Sequence, residues 1–288
     1  AKVFGASGPD CKRQARMIRR RKPRFFRGEW ADILRLVLSR RVSRGESIAE
    51  FETALARYTG TRFAVMTCSG RKGLELLFEA LRLESGDEII VPAYTLKDLI
   101  FLIRAKGFVP RLVDVDPASF TIDPALLEKS ITPRTKVILA THILGVPCDI
   151  ERVMAIARSR GVKVVEDCAH CLGGSYKGAP LGSFGDAAFF SFETPKPVNC
   201  FGGGAVTTND EALARELRCR VTGLTPAGQI LGKIMLNCLE HLLIFSPLYP
   251  VLLMALMSRV TAGAMSRFYL SFHASTRIGN AGASNLQA

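Results

Sequence analysis

Short apolar runs alternate with helical patterns between residues 62 and 167, and this alternation constrains the fold more than any other feature. Strands are predicted at residues 62–67, 88–91, 111–115, 136–141 and 162–166. Helices are predicted between them, over residues 69–83 and 96–106 and from about Pro124 and Ile150. Repeated βα units of this length predict an α/β fold with three layers, α/β/α, around a mostly parallel sheet. In such sheets, ligands bind at the carboxyl ends of the strands.

The segments on either side extend this pattern. Apolar residues at helical spacing predict one helix around residues 30–38 and a second that carries Phe51 and ends near Gly60. Further along, residues 187–192 and 205–208 resemble strands, and a helix is predicted over residues 209–220.

Positive charge is concentrated at the start of the chain. Of the formal net charge of +13, residues 1–44 contribute +11, from fourteen Lys or Arg against three acidic residues. The basic arm over residues 1–28 either faces phosphates or anionic lipid, or is a solvated tail. Phe25, Phe26 and Trp30 interleave with arginines, but no recognised binding fold surrounds them, so no nucleic-acid partner is predicted. The apolar content of 48% excludes a disordered chain.

Eight cysteines are scattered along the chain, and no apolar segment ahead of a cleavage site predicts secretion. We therefore expect reduced thiols and a cytoplasmic location. Cys168 and Cys171 form a C-x-x-C pair, but a structural zinc site needs four ligands and no second pair is present. Packing is the favoured interpretation, and no metal site is predicted. His142, His241 and His273 have no evident partner in the sequence.

Residues 230–257 are strongly apolar. The part from 242 to 257 contains no charged residue, but its 16 residues are fewer than the roughly 20 that a spanning helix needs. Pro247 and Pro250 also interrupt it. A buried helical hairpin or an interfacial segment is predicted. Two interpretations stay open: peripheral contact with a membrane, and extra packing in the core or in a dimer.

Two predicted strand ends carry opposite charges. The strand that ends at Glu166 runs into Asp167, and Lys196 follows the next strand, ahead of the glycine run 202–204. A lysine can form a Schiff base and a carboxylate can keep a pyridine nitrogen protonated, so the two residues suit pyridoxal 5'-phosphate. Taken singly, such a lysine is more often a surface charge and such an acid more often a helix cap.

Seven phrases of the sequence carry a resemblance to a known family. They are residues 45–52 (GESIAEFE), 86–94 (GDEIIVPAY), 113–117 (VDVDP), 131–136 (ITPRTK), 142–149 (HILGVPCD), 164–178 (VVEDCAHCLGGSYKG) and 185–210, which contains FFSFETPKPVNCFGGGAVTTND. Residues from about 44 to 220 resemble the DegT/StrS-type sugar aminotransferases, a branch of the fold type I pyridoxal-phosphate enzymes. The resemblance implies that residues 29–220 are the large, cofactor-binding domain of that fold.

The resemblance implies a role for each matching residue. Lys196 matches the catalytic lysine, which forms the Schiff base and moves a proton between cofactor and substrate. Asp167 matches the catalytic acid, which pairs with the pyridine nitrogen. The other implied cofactor contacts hold the phosphate, lie beside the ring or come from a neighbouring subunit: Ser69, Gly70, Arg71, Ser191, Leu96, His170 and Asn280.

Several positions depart from the family pattern. Leu96 stands where the family usually has an aromatic residue that stacks on the cofactor. Arg71 and Lys72 stand where a small residue or Thr is usual, and they would either strengthen the grip on the phosphate or point outward. Residues 221–275 are longer and more apolar than the family's connection and are assigned as an apolar helical insertion. Residues 276–288 are expected to start a small C-terminal domain that is largely missing, as in a truncated chain.

The resemblance implies an aminotransferase that carries an amino group, from glutamate as the donor, onto a keto sugar attached to a nucleotide. A homodimer with shared active sites is also implied. Some relatives are dehydratases that lack the lysine, so Lys196 argues for transamination. Two alternatives stay open. One is a membrane-associated relative, motivated by the basic arm and the apolar run. The other is a non-catalytic homologue that keeps the fold for binding or regulation, motivated by Leu96, by Gly282, where the family usually has an arginine, and by the expected truncation.

Overall fold

The computed structural model describes residues 28–38, 45–193, 196–221, 223 and 226–245. The predictions for Asn280 and for a C-terminal domain fall outside these residues, as does the predicted basic arm, residues 1–28, except for Gly28. The chain divides into two compact units, Ala1–Met235 and Leu236–Ala288, and the sheet belongs to the first. The described part of the second unit is the end of the last helix. The domain boundaries derived from the sequence stay predictions.

The order of the elements follows the predicted alternation. The strands of the described residues are β1 (Phe63–Thr67), β2 (Glu88–Pro92), β3 (Val109–Val113), β4 (Thr135–Thr141), β5 (Lys163–Asp167), β6 (Ser175–Tyr176), β7 (Ala179–Pro180), β8 (Ala187–Ser191) and β9 (Gly204–Thr208). The helices are α1 (Glu29–Leu38), α2 (Glu46–Thr59), α3 (Gly70–Ala80), α4 (Lys97–Ala105), α5 (Pro124–Ser130), α6 (Ile150–Arg160), α7 (Glu211–Arg220) and α8 (Ala227–Phe245), with a 3₁₀ turn at Ile143–Gly145.

Seven of these strands form one sheet in the order β1-β9-β8-β5-β4-β2-β3. Neighbouring strands from β3 to β8 are parallel, whereas β9 is antiparallel to both β8 and β1. The prediction of a mostly parallel sheet is therefore confirmed. Because parallel strands end at the same edge, the residues that follow β1, β4, β5 and β8 meet at one side of the sheet.

Side chains alternate between two covered faces of the sheet. Val165 of β5 packs in a core cluster with apolar residues of α3, α4 and α7. Its neighbour Val164 packs on the other face with residues of α5 and α6. Phe190 of β8 lies on that second face with Leu55 of α2. Burial of these apolar side chains is the main driving force for the fold, and the predicted three-layer arrangement is confirmed.

Side-chain caps fix where several helices begin. The caps that accept a backbone N–H of the first helical turn are Ser69 for α3, Asp123 for α5, Asp149 for α6 and Asp210 for α7. Replacing such a cap by alanine typically costs about 1 kcal/mol. The Ser69 cap matters for the site, because it starts α3 two residues after the end of β1.

Three local features differ from the sequence predictions. Strand β3 begins at Val109, two residues before the predicted start. The hairpin of β6 and β7 was missed, because two-residue strands are too short to show a period. Helix α8 begins at Ala227 and is described as far as Phe245, so the predicted helical character holds there, while residues 246–257 lie outside the described part. Within the described residues, no helix combines the length and apolar character needed to cross a membrane.

Candidate active site

The predicted site residues gather at the carboxyl edge of the sheet. Asp167 is the last residue of β5, Ser191 is the last residue of β8, and Ser69 lies between β1 and α3. In register, Asp167 is beside Thr141 of β4, so both side chains project from the face that is covered by α3 and α4. The strand ends that the sequence pattern placed at one edge are therefore neighbours in the structure.

The turn before α3 is packed tightly against the end of β8. A Cβ at Gly70 would lie 3.0 Å from the Phe190 carbonyl oxygen and 3.1 Å from the Ser191 Cβ. A Cβ at Gly204 would lie only 2.3 Å from the Gly70 nitrogen, so position 204 accepts no side chain. The hydroxyl of Ser69 accepts the Lys72 N–H at 3.1 Å. This close packing brings Ser191 to the start of α3, where free N–H groups and the helix dipole favour an anion.

The two cations after Gly70 have different surroundings. Arg71 Nη1 donates to Asp98 Oδ2 of α4 at 2.5 Å, and its charge contributes to lowering the Lys196 pKa. Lys72 instead forms an ion pair with Glu75, one turn further along the same helix, at 3.0 Å. Of the two cations, Arg71 is thus the one whose charge acts on the site.

Asp167 is buried, and one of its oxygens, Oδ1, accepts the Ala169 N–H at 3.0 Å. Burial raises the pKa of this carboxyl, and the nearby charge of Lys196 opposes the rise. A buried acid with one backbone hydrogen bond is poorly compensated within the described residues. It is suited to pair with a cationic group of a ligand.

Lys196 is mostly buried, on the loop between β8 and β9, where its N–H donates to the Glu193 carbonyl oxygen at 2.9 Å. Burial is the main cause that lowers the pKa of its amine, and Arg71 adds to it, while Asp167 and Glu193 act in the opposite direction. Among the described residues, Lys196 and Asp167 form no ion pair within the 4.0 Å that defines one. The lowered pKa makes the neutral, nucleophilic amine more available.

His170 and Leu96 were also predicted to contact the cofactor. Burial and the charge of Lys196 lower the pKa of His170, which puts this ring in the electric field of the lysine. Leu96 caps α4 and is 52% exposed, two residues before the carboxylate that binds Arg71. Asn280 lies outside the described residues. The structure therefore brings together Ser69, Gly70, Arg71, Asp167, His170, Ser191 and Lys196.

A buried network beneath Asp167 was missed by the sequence analysis. Glu166 is fully buried on the opposite face of β5, and its carboxylate accepts the N–H groups of Gly182, Phe184 and Gly185 at 2.7–2.9 Å. His142 Nε2 lies 3.0 Å from Glu166 Oε2, and His142 Nδ1 accepts the Cys148 N–H, so Nε2 carries the proton. Side chains alternate along β5, and this alternation places Glu166 toward the core. The sequence therefore contained a signal that this carboxylate is buried and needs hydrogen-bond donors.

The C-x-x-C pair belongs to the core. Cys168 and Cys171 are buried in the cluster that contains Phe190, and burial raises the pKa of the Cys168 thiol. Possible ligand atoms of His142, Glu166 and Cys168 lie within 4.8 Å of one another. However, the Glu166 oxygens and the His142 Nδ1 already accept N–H groups, so these atoms act as hydrogen-bond partners rather than as metal ligands.

One hydroxyl at the site has no hydrogen-bond partner among the described residues. Thr141 is 4% exposed, and no group in the described part of the chain forms a hydrogen bond with its Oγ1. Such a group costs about 1–3 kcal/mol when it is left unsatisfied. The acid suits the pyridine nitrogen of pyridoxal phosphate, the amine suits its aldehyde, and the start of α3 suits its phosphate. The residues present fit that cofactor.

A cleft of about 640 Å³ lies at the opposite edge of the sheet. It is lined by residues at the start of β5 and next to β8 and β9, including Lys163, Asp186 and Asp210. None of the predicted site residues that the structure describes lines it, and Lys163 and Asp186 are already paired at 2.7 Å. The chemistry therefore belongs at the carboxyl edge.

The fold and the site together define an α/β protein of the fold type I pyridoxal-phosphate class, with a lysine and an acid at the carboxyl edge of the sheet. The chain belongs to the DegT/DnrJ/EryC1/StrS aminotransferase family, whose profile matches residues 28–234.

Curated relatives are named for sugar-nucleotide chemistry. GDP-perosamine synthase from Caulobacter vibrioides is 40% identical over 183 residues, which are 63% of this chain and 49% of that protein. The dTDP-3-amino-3,6-dideoxy-alpha-D-galactopyranose transaminase from Aneurinibacillus thermoaerophilus is 41% identical over 174 residues, which are 60% of this chain and 48% of that protein. The chain thus spans about half the length of these relatives.

A solved structure shows the same fold. E. coli GDP-4-keto-6-deoxy-D-mannose-3-dehydratase with bound hydrated PLP matches with a TM-score of 0.66 and 28% identity, over 73% of this chain and 59% of that chain. Relatives with this fold therefore include both a transaminase and a dehydratase.

Proposed function

We propose that the protein is a pyridoxal-phosphate-dependent aminotransferase that moves an amino group, from glutamate as donor, onto a keto sugar linked to a nucleotide. The observation that carries this proposal is that a buried acid and a mostly buried amine of lowered pKa lie at the same sheet edge, beside the start of α3, without an ion pair between them. We further propose that the protein works as a homodimer with shared active sites, in the cytoplasm.

The names of the relatives support the substrate class. One is a GDP-perosamine synthase and another is a transaminase of a dTDP-linked amino sugar. The solved dehydratase was observed with PLP. Some relatives in the family that this chain resembles are dehydratases that lack the Schiff-base lysine. The presence of Lys196 therefore supports transamination over dehydration.

The residues divide the work by charge. When bound, pyridoxal phosphate supplies an electron sink for the carbon that gains or loses the amino group. Asp167 holds the proton on the pyridine nitrogen, since its carboxylate is buried and has few other partners. Lys196 presents an amine whose pKa is lowered by burial, and it would move a proton at its Nζ.

The phosphate end would be held by residues of the packed turn. The first N–H groups of α3, capped by Ser69, face an anion favourably, and Ser191 lies against Gly70. Arg71 adds a positive charge, and Asp98 fixes the direction of its guanidinium.

An absorbance titration with pyridoxal 5'-phosphate tests the cofactor. We expect a band near the visible region in the wild type and its loss in Lys196→Ala, because the amine that reacts with the aldehyde is gone. Lys72→Ala is the matched control, since Lys72 pairs with Glu75 and should leave the band unchanged. A wild-type spectrum that equals the sum of free protein and free cofactor would contradict the proposal.

A non-catalytic homologue is the second candidate, favoured by Leu96, which offers no aromatic ring and is half exposed. The response of the absorbance band to glutamate distinguishes this candidate from an aminotransferase. In an aminotransferase, glutamate converts the bound cofactor and shifts the band. A Lys196-dependent band that glutamate leaves unchanged would support binding without turnover.

We also propose that the protein contacts a membrane surface through helix α8. Met235, Leu239 and Leu242 of α8 are exposed, and their spacing places them on one face of the helix. Cosedimentation with anionic vesicles tests this contact, with Met235→Glu/Leu239→Glu as the variant. Equal sedimentation of wild type and variant would argue against a role for this face.

A further inference from the structure

Helix α8 contacts the loop that carries Lys196. Lys233 Nζ donates to Glu193 Oε1 at 2.8 Å, and the two side chains are only 24% and 31% exposed. Both residues belong to the first compact unit. The apolar insertion predicted over residues 221–275 thus makes a charged contact through Lys233.

This ion pair lies over the glycine run. A Cβ at Gly202 would lie 3.1 Å from Lys233 Nζ and 3.9 Å from Glu193 Oε1, and the φ of Gly202 is +137°, a value that favours glycine. The Glu193 carbonyl oxygen accepts the Lys196 N–H at 2.9 Å. Lys233 is therefore tied, through one residue, to the backbone of the proposed catalytic lysine.

The charges around Lys196 come from several elements. Asp167 at the end of β5 and Glu193 of the same loop favour the ammonium form, while Arg71 of α3 opposes it. His170, which follows β5, also lies in the field of Lys196. Of the two acids, Glu193 is the one that has a lysine bound to it, at 2.8 Å.

We propose that Lys233 is a positioning residue for Lys196. Its ion pair with Glu193, seated over Gly202, holds the lysine loop against α8 and offsets the charge of a carboxylate that favours the ammonium form of Lys196. The inference rests on the proposed function, because it assigns a role toward that site to a residue of the insertion.

Competitive acetylation of the cofactor-free chain, followed by mass spectrometry of the peptide that contains Lys196, tests the proposal over a pH series. Lys233→Met leaves Glu193 unneutralised, so the midpoint of Lys196 labelling moves to higher pH. A shift of about half a pH unit lowers the labelling rate near neutral pH by about threefold. Lys233→Arg should restore the wild-type midpoint.

Two further variants separate charge from structure. In a Glu193→Gln background, Lys233→Met should move the midpoint little, because the carboxylate is already gone. Lys163→Met breaks a pair with Asp186 at the opposite edge of the sheet and should leave Lys196 unchanged. A purely structural contact would change the maximal labelling rate and leave the midpoint in place.

An unchanged midpoint in Lys233→Met, or an equal shift in the Glu193→Gln background, would overturn the proposal. Because the labelling needs no pyridoxal phosphate, it reads the amine directly. Failure of the cofactor assignment appears instead as the missing Lys196-dependent band, so the two failures are distinguishable.

Discussion

Glu166 and Asp167 are adjacent in the sequence and buried on opposite faces of β5, yet their surroundings differ. The Glu166 carboxylate accepts three backbone N–H groups and lies against the Nε2–H of His142. Asp167 accepts one backbone N–H, that of Ala169, and burial raises the pKa of its carboxyl.

The comparison shows that burial alone does not reveal what a carboxylate does. Hydrogen bonds from four groups stabilise the charge of Glu166, and in return that charge orders the loop from Gly182 to Gly185. Within the described part of the chain, Asp167 lacks such compensation, and acids with perturbed pKa values of this kind cluster at functional sites. The following predictions test whether structural and chemical roles divide between these neighbours.

The largest effect is expected for Glu166→Gln. The amide group would replace one carboxylate oxygen and turn its own N–H donors toward the donors of Gly182 and His142. We expect a loss of about 3 kcal/mol in the free energy of unfolding, measured by urea denaturation of the cofactor-free chain. The control is Glu151→Gln, which removes an exposed ion pair with Lys177. We expect this variant to lower the free energy of unfolding by less than about 0.5 kcal/mol. A loss below about 1 kcal/mol in Glu166→Gln would show that the network is dispensable.

Asp167→Asn should have the opposite profile. We expect the cofactor to stay bound, the unfolding free energy to stay within about 1 kcal/mol of the wild type, and turnover to fall by at least about a hundredfold, or about 2.7 kcal/mol. The physical reason is the loss of the negative partner of the pyridine nitrogen. Steady-state transamination measures it, and unchanged turnover would remove Asp167 from its proposed role.

The pH dependence of stability should carry the signature of Asp167. Its native pKa lies above the ordinary value of 3.8, so the native chain binds more protons than the unfolded chain between these two pKa values. Its contribution to the unfolding free energy therefore falls as the pH rises through that window. Relative to Asp167→Asn, the wild type should lose stability over this range in urea titrations. A constant difference between the two proteins would contradict the raised pKa.

Glu88, at the other edge of the sheet, should change the pH dependence of stability in the opposite direction, because its pKa is lowered rather than raised. The hydroxyl of Thr132 donates to Glu88 at 2.6 Å and is the main cause of its lowered pKa. The stabilisation is present above the ordinary value of 4.5 and is lost as the pH falls through the lowered native pKa. Glu88→Gln should remove this loss in the same titrations.

The smallest effect on stability is expected for Thr141→Val. Its hydroxyl has no partner in the described residues, so the cofactor-free chain should be unchanged or more stable by up to about 1 kcal/mol. Thr132→Val, the matched control, removes the bond to Glu88 and should cost about 1–2 kcal/mol. If the Thr141 hydroxyl serves the cofactor, the pyridoxal-phosphate dissociation constant should rise in Thr141→Val. A destabilised Thr141→Val chain would show that the hydroxyl is already satisfied.

Much of the fold could be predicted because its strands and helices carry clear periods. Both ends of the strand predicted at 162–166 and the start of the helix predicted from Ser69 were located within one residue, since capping and β-branched runs act locally, whereas that helix ends three residues early, at Ala80. The antiparallel direction of β9 could not be predicted, because five residues of strand carry no signal of orientation. The shift of β3 has a similar cause, as an edge strand with exposed residues lacks a buried pattern.

The site was predicted where its residues follow strand ends, as for Asp167 and Ser191. The contacts that support it were not, because they join residues far apart in the sequence. His142 and Glu166 are 24 positions apart and Arg71 and Asp98 are 27 apart. Such contacts depend on strand register and on how helices pack, which periodicity does not encode.

The direction of β9 has a consequence for how the lysine can be altered. Ser191 and Gly204 are paired in register, so the loop of residues 192–203 leaves the sheet and returns to it at the same point. Lys196 thus belongs to the connection between two adjacent antiparallel strands rather than to a crossover. A change in the length of this connection would therefore alter the reach of the amine while leaving the register of β8 and β9 in place.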